Sequence, residues 1–138
     1  MRVLIDTNVL VDYIQKREKF GENADAIVAA CAQGRIEGFM AAHSVPNIFY
    51  VLRKYYSISE RRDLLKQLCS IISVAGLCEQ QILDALENNK MNDFEDCLQL
   101  QCAVEVKADY IVTRNLKDYI DSTVPCIDPG EFVKKVIG

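Results

Sequence analysis

Residues 3–15 read VLIDTNVLVDYIQ, and the change of character inside this stretch decides the fold. Val3, Leu4 and Ile5 form a short apolar run of the kind that makes a buried strand. The run stops at Asp6, Thr7 and Asn8, after which Val9, Leu10, Tyr13 and Ile14 recur at helical spacing. In an open α/β sheet, a carboxylate placed where a buried strand ends and a helix begins stands where ligands bind. An aspartate there also serves as a plain turn or cap residue, so Asp6 alone leaves both roles open.

The same alternation continues outward from this stretch. A helix is expected from about 22 to 33, stopped by Gly34. Phe39, Met40, Ala41 and Ala42 form a strand that leads to Ser44, a good N-cap, with Pro46 in the first helical turn. Ile48, Val51, Leu52 and Tyr55 then fall at i, i+3, i+4 and i+7, which defines a buried face and leaves Arg53 and Lys54 outside it. A helix over 59–68 runs into 70–74, a segment that fits either a helix end or a third strand, and Gly76 closes it. A short helix over 80–87 and a polar loop over 88–92 precede a helix from 93 to about 107. Tyr110, Ile111 and Val112 form a strand ending in Thr113, Arg114 and Asn115. An edge strand over 124–127 is restricted by Pro125, and Pro129 opens a last short helix carrying Phe132, Val133 and Val136. This pattern predicts an α/β fold of three layers, with helices on both faces of a mostly parallel sheet of four to five strands, in one domain over 1–138.

Half of the 138 residues are apolar, enough for one sizeable core. A net charge of −4 argues against binding polyanions through bulk charge, so a nucleic-acid ligand would need local basic patches. Met1 and Arg2 lead straight into a strand bearing Asp6, unlike a signal peptide, and no apolar run approaches the ~20 residues of a membrane span. A cytoplasmic protein without membrane contact is expected. Cys31, Cys69, Cys78, Cys97, Cys102 and Cys126 lie scattered in apolar segments with no Cys-x-x-Cys pair, which reads as reduced core thiols. The lone His43 has no partner at zinc-ligand spacing and is expected to be structural, at a strand-to-helix corner.

Parallel strands end on a common edge, so Asp6 and the turn at Thr113 to Asn115 belong on the same side of the molecule. Asp93 and Asp96 are neighbours on one helical face, in the first turn where the helix dipole favours anions. Asp93 reads equally well as the N-cap. Asp96 stands one turn into a helix of mostly apolar residues, Phe94, Cys97, Leu98, Cys102 and Ala103, and is expected to face a cleft. Asp6, Asp93 and Asp96 brought together would repel unless a proton or cation intervenes, and Mg²⁺ or Mn²⁺ suits an all-oxygen ligand set. A Gly-rich phosphate loop is absent, and no serine or cysteine stands beside a base at a suitable place for nucleophilic catalysis. A phosphoacceptor receiver domain also carries acids at strand ends, but its central acceptor Asp and later Lys are missing here.

Three blocks carry a family resemblance: Asp6-Thr7-Asn8 through Asp12, Asp93-Phe94-Glu95-Asp96-Cys97-Leu98-Gln99, and Asp109 through Asn115 followed by Asp118. Their order and spacing over nearly the whole chain resemble the PIN domain, and among its members the small prokaryotic proteins that include VapC-type toxins. The resemblance implies an α/β/α sandwich and an Mg²⁺- or Mn²⁺-dependent ribonuclease that hydrolyses single-stranded RNA without a covalent intermediate. It also implies a homodimer and, for a toxin, an antitoxin protein as partner. Asp6 and Asp96 would be metal ligands, with Thr7, Asn8, Thr113 and Asn115 orienting them and the attacking water. Asp118 would be the last acid, because the usual Thr-x-Asp stands here as Thr113-Arg114-Asn115. The family carries Glu early in its third helix, where this chain has Asn47, which offers either a neutral oxygen to the site or a cap to its helix. Arg114 and Lys117 flank the implied site and are the favoured RNA contacts, ahead of Lys16, Arg17, Lys19, Arg53 and Lys54. The amides at 47 and 115 keep a second reading open, a PIN-like module that binds RNA or a protein with little or no catalysis.

Overall fold

Strand β1 (Arg2–Ile5) lies at the centre of the sheet in the computed structural model, which describes residues 1–138. It pairs with β2 (Glu37–Ala41) on one side and β4 (Tyr110–Val112) on the other. The edges are β3 (Ser73–Ala75) and β5 (Cys126–Ile127), giving the order β3-β2-β1-β4-β5 with every pairing parallel. The chain winds outward from β1 to β3 and then returns to β4, so the winding reverses between β1 and β4. Such a reversal leaves a crevice beyond the C-terminal ends of the two strands. Asp6 follows β1 and Thr113 follows β4, one on each side of it.

Seven helices cover the sheet: α1 (Thr7–Gln15), α2 (Gly21–Ala32), α3 (Ser44–Val51), α4 (Ile58–Ile71), α5 (Glu79–Glu87), α6 (Phe94–Glu105) and α7 (Pro129–Phe132). Successive strand residues point to opposite faces, and the core divides accordingly. Val3, Ile5, Met40 and Val112 pack with Leu10, Ile27, Ile48 and Phe132 on one face. Leu4, Ala41, Ala75 and Ile111 pack with Ala85, Leu100 and Ala103 of α5 and α6 on the other. The three-layer α/β arrangement expected from the alternating pattern is therefore present. No helix is long and apolar enough to cross a membrane.

Several local signals act as their chemistry dictates. Asp93 caps α6 by accepting from the Asp96 amide at 3.2 Å. The segment left ambiguous at 70–74 divides, the helix running to Ile71 and β3 following at once. Helix α4 starts from a capping box between Ser57 and Glu60, slightly ahead of the expected start at Ser59.

Three expectations are corrected. The N-cap position of α3 is His43, and Ser44 is instead its first helical residue, fully buried. After Val51 the chain tightens into a 3₁₀ turn over Leu52–Lys54, which changes the angular spacing of side chains. Ile48 and Leu52 stay in the core, while Val51 and Tyr55 are turned outward with 39% and 70% exposure. All six cysteines are free, but only Cys31, Cys97 and Cys102 are buried. Cys69, on the outer side of α4, and Cys78, just before α5, are exposed, and Cys126 is half-buried.

Candidate active site

Asp6 is held at the end of β1 by the backbone and at the start of α1 by its own side chain. Its amide donates to the Val112 carbonyl at 3.0 Å, and its Oδ1 accepts from the Thr7 amide at 2.7 Å. Oδ2 accepts from Thr113 Oγ1 at 2.8 Å, Asn8 Nδ2 at 3.2 Å and the Tyr119 hydroxyl at 3.5 Å. Only 5% of Asp6 is exposed. Burial raises its pKa above the usual carboxylate range, opposed by the bonds from Thr113 and Thr7 and reinforced by the charge of Glu95.

Tyr119 ends the 3₁₀ turn Leu116–Tyr119 after β4 and is buried. Its hydroxyl also donates to Asp96 Oδ1 at 3.1 Å, so one phenol joins two carboxylates that are ninety positions apart in the chain. A phenol has one proton, and the shorter contact places it toward Asp96. Burial, then the charges of Asp6 and Asp96, push the Tyr119 hydroxyl far above the ordinary tyrosine value, so it acts as a donor at any working pH. Asp96 is half-buried, and burial followed by the charges of Asp93 and Asp6 pushes it up to about 7.

A second polar connection lies beneath this pair. Gln99, one turn beyond Asp96 on α6, is fully buried. Its Nε2 donates to Ser44 Oγ at 3.0 Å and to Thr7 Oγ1 at 3.3 Å, and the two hydroxyls lie 2.8 Å apart. This network ties the starts of α1 and α3 to the acid-bearing turn of α6. It explains why Ser44 is drawn inward rather than left to cap its helix.

The pair opens into a cleft of about 340 Å³ whose lining includes Asp6, Asp93, Glu95, Asp96 and Asp118, with Thr7, Asn8 and Asn115 among its polar walls. The structure thus brings Asp6, Asp93, Asp96 and Asp118 to one place. Thr113 stands behind Asp6, and the Asn115 amide donates to Thr113 Oγ1 at 3.0 Å. Asn47 does not line the cleft, and its side-chain amide donates to Glu95 Oε1 at 3.0 Å. Lys117 lies in an adjoining cavity of about 210 Å³ together with Lys90, sharing Asp93 and Asp118 with the cleft.

Arg114 does not point where the sequence suggested. Its guanidinium grips Asp12 through Nε at 2.7 Å and Nη2 at 3.2 Å, and it stacks 4.0 Å from the Phe20 ring centre. Asp12 is 1% exposed and takes a further ion pair from Arg17 at 3.2 Å. Arg114 is therefore committed inside the protein rather than offered to a phosphate. Among the other bases considered, Arg17 lines the cleft, Lys19 lies over the Phe20 ring, Arg53 stacks on Tyr50, and Lys16 and Lys54 are exposed. His43 is half-buried with both ring nitrogens enclosed and without partners, and burial lowers its basicity.

The donor chemistry fits a hard divalent cation. No three His, Cys, Asp or Glu side chains converge closely enough to hold an ion among themselves. Mg²⁺, however, usually keeps several waters and takes only one or two carboxylates. Asp6 Oδ1 accepts a single hydrogen bond and Asp96 Oδ2 accepts none, so each acid keeps an oxygen with spare lone pairs while its other oxygen is held, by Thr113 in Asp6 and by Tyr119 in Asp96. The buried, mutually repelling pair lacks a positive partner of its own, which is the electrostatic condition a cation would relieve.

The signals missed in the sequence are Tyr119, Glu95, Gln99 and Asp12. Gln99 was visible as an amide inside an apolar helical run, at i+3 from Asp96 and so on the same face. Tyr119 had no such signal, because its reach depends on the 3₁₀ turn after β4.

Solved structures of similar architecture come from several bacteria. VapBC2 from Rickettsia felis, bound to a DNA fragment from its promoter, matches with a TM-score of 0.69 at 15% identity, covering 93% of this chain and 98% of that one. A toxin–antitoxin complex from Klebsiella pneumoniae matches with a TM-score of 0.68 at 21% identity, over 92% of this chain and 97% of that one. VapC20 from Mycobacterium tuberculosis, a Sarcin-Ricin loop cleaving toxin, matches with a TM-score of 0.62 at 9% identity, over 79% and 86%. At such identities the likeness is one of fold. No curated protein matches the sequence. The family model of the PIN domain matches residues 2–117, which spans β1 to the turn carrying Lys117 and includes both acids joined by Tyr119. By that match the chain belongs to the PIN domain family.

Proposed function

We propose that the protein is an Mg²⁺- or Mn²⁺-dependent endoribonuclease acting on single-stranded RNA, and the toxin of a toxin–antitoxin pair. The observation that carries this reading is the pairing of Asp6 with Asp96 through one buried hydroxyl at the mouth of an acidic cleft. The toxin–antitoxin complexes and the RNA-cleaving toxin among its structural relatives support the choice of substrate and partner. A homodimer is part of the same proposal.

In this reading Asp6 and Asp96 hold the cation with their free oxygens. When bound, the cation supplies an activated water and neutralises charge on the phosphoryl oxygens. Thr113 and Asn8 fix the rotamer of Asp6 by donating to its Oδ2, so its other oxygen is aimed before any ligand arrives. Gln99 holds α6 against Thr7 and Ser44, which keeps Asp96 facing Asp6. Lys117 and Lys90, in the cavity beside the cleft, are placed to meet the phosphates of the strand leading away from the cut. The amides at 47 and 115 favour the rival reading, a module that binds without cutting. The two readings part on one assay. Cleavage of a labelled single-stranded RNA is expected to vanish with a chelator and to return on adding Mn²⁺, whereas the rival gives binding with no cut product under either condition.

The acidity of Asp96 adds a pH signature. An acid raised from 3.8 to about 7 holds its proton more tightly in the folded chain than in the unfolded one. Between those values the folded chain carries more protons, so this group favours folding at low pH and its contribution is lost as pH rises through about 7. Cation affinity must run the other way, because the cation needs the charged form. We expect cation-free thermal unfolding of the parent to lose ground to Asp96→Asn between pH 5 and pH 8, and Mn²⁺ affinity of the parent to rise over the same span. Melting curves of both proteins across that range check the first, and calorimetric titrations the second.

A further inference from the structure

Glu95 is an acid of the cleft without a role in the account above. Glu95 is the second residue of α6, adjacent to Asp96, and lines the same cleft as Asp6. Its Oε1 accepts from Asn47 Nδ2 at 3.0 Å, across the gap between α3 and α6, and its Oε2 accepts no hydrogen bond. Its charge is felt at Asp6. The contact also accounts for Asn47. The amide turns its donor toward Glu95, and Asn47 is absent from the cleft lining. The carboxylate in this corner of the cleft thus comes from α6, with α3 contributing the group that aims it.

We propose that Glu95, oriented by Asn47, provides a third negative charge to the cation held at Asp6 and Asp96. The proposal rests on the nuclease reading, because it concerns the same cation. Asp6 and Asp96 are the anchors, Asp6 fixed from behind by Thr113 and Asn8 and Asp96 by Tyr119. Glu95 is exposed and acts on the ion through one of its waters and not as a direct ligand, while Asn47 is a positioning residue that acts only through Glu95. A purely structural tie between α3 and α6 would need the hydrogen bond but not the charge. Glu95→Gln keeps an acceptor for Asn47 and removes only the charge, so it separates the two roles.

The test is Mn²⁺ binding, measured by calorimetry and by the electron paramagnetic resonance signal of free Mn²⁺, on the parent, Glu95→Gln, Asn47→Ala, their double variant and Asp6→Asn. Glu95→Gln is expected to weaken Mn²⁺ binding by about tenfold with an unchanged melting temperature in the absence of metal. Asn47→Ala should weaken it by about threefold in the parent background and have no further effect once Glu95 is Gln, a non-additivity that marks the two as one unit. If Glu95→Gln binds Mn²⁺ within about twofold of the parent while Asp6→Asn does not bind it, the role of Glu95 is overturned and the nuclease reading survives. If the parent itself takes up no Mn²⁺, the nuclease reading fails and this inference falls with it.

Discussion

Asp6→Asn is expected to lower the rate of RNA cleavage by about a thousandfold, equivalent to about 4 kcal/mol of activation free energy, without unfolding the protein. The buried carboxylate is surrounded by donors, the Thr7 amide, the Thr113 hydroxyl and the Asn8 amide, and its proton affinity is raised mainly because burial penalises its charge. An asparagine of the same shape removes that penalty. It also brings two N–H donors into a site built of donors, so one of its amide hydrogens must face the cleft. Activity should therefore collapse while the melting temperature holds or rises, the usual exchange between a strained charge and stability. Asp96→Asn is expected to act in the same direction. Rates on a labelled RNA together with thermal melts test both, and cleavage retained within about tenfold in both variants would remove the assigned site.

The second large effect concerns stability. Asp12→Ala is expected to cost about 3 kcal/mol, near the lower end for breaking a buried ion pair, because the Arg114 side chain remains 22% exposed and can recover some hydration. Against a typical domain stability of about 5 to 15 kcal/mol this is a large share, and it should lower the melting temperature by about 10 °C. The reason is geometric as well as electrostatic. Asp12 closes the far side of α1 onto the segment after β4, and the Arg114 it grips directly follows Thr113, the donor to Asp6. The loss should be partly reversed in the double variant Asp12→Leu with Arg114→Met, since an apolar pair of similar volume often replaces a buried ion pair without cost. Urea unfolding of the single and double variants measures this. A loss below about 1 kcal/mol for Asp12→Ala would mean that Arg114 is held by Phe20 alone and is available for other work.

Much of the architecture was legible because each of its signals is local. A short apolar run broken by Asp6, a helix capped by Asp93, and a β4 run ending at Thr113 each announce a boundary within a few residues. Parallel pairing then places strand ends on one edge, and the family resemblance carried the rest of the layout. What was not legible depends on contacts made across the fold. Nothing near Tyr119 reveals that a 3₁₀ turn will carry its hydroxyl to two aspartates. Arg114, beside the site in sequence, points away from it because Asp12 and Phe20 lie closer in space. Ser44 has the composition of a cap, yet Gln99 and Thr7 draw it into the interior. The outward swing of Tyr55 follows from a change of helical pitch after Val51 that the i, i+3, i+4 spacing could not register.

The central place of β1 has a consequence for synthesis on the ribosome. Asp6 leaves the exit tunnel well before Thr113, the hydroxyl that aims it, which is 107 positions later. Pairing over such a separation is slow compared with local helix formation. A growing polypeptide therefore carries Asp6 without its aiming partner until the segment after β4 has been made.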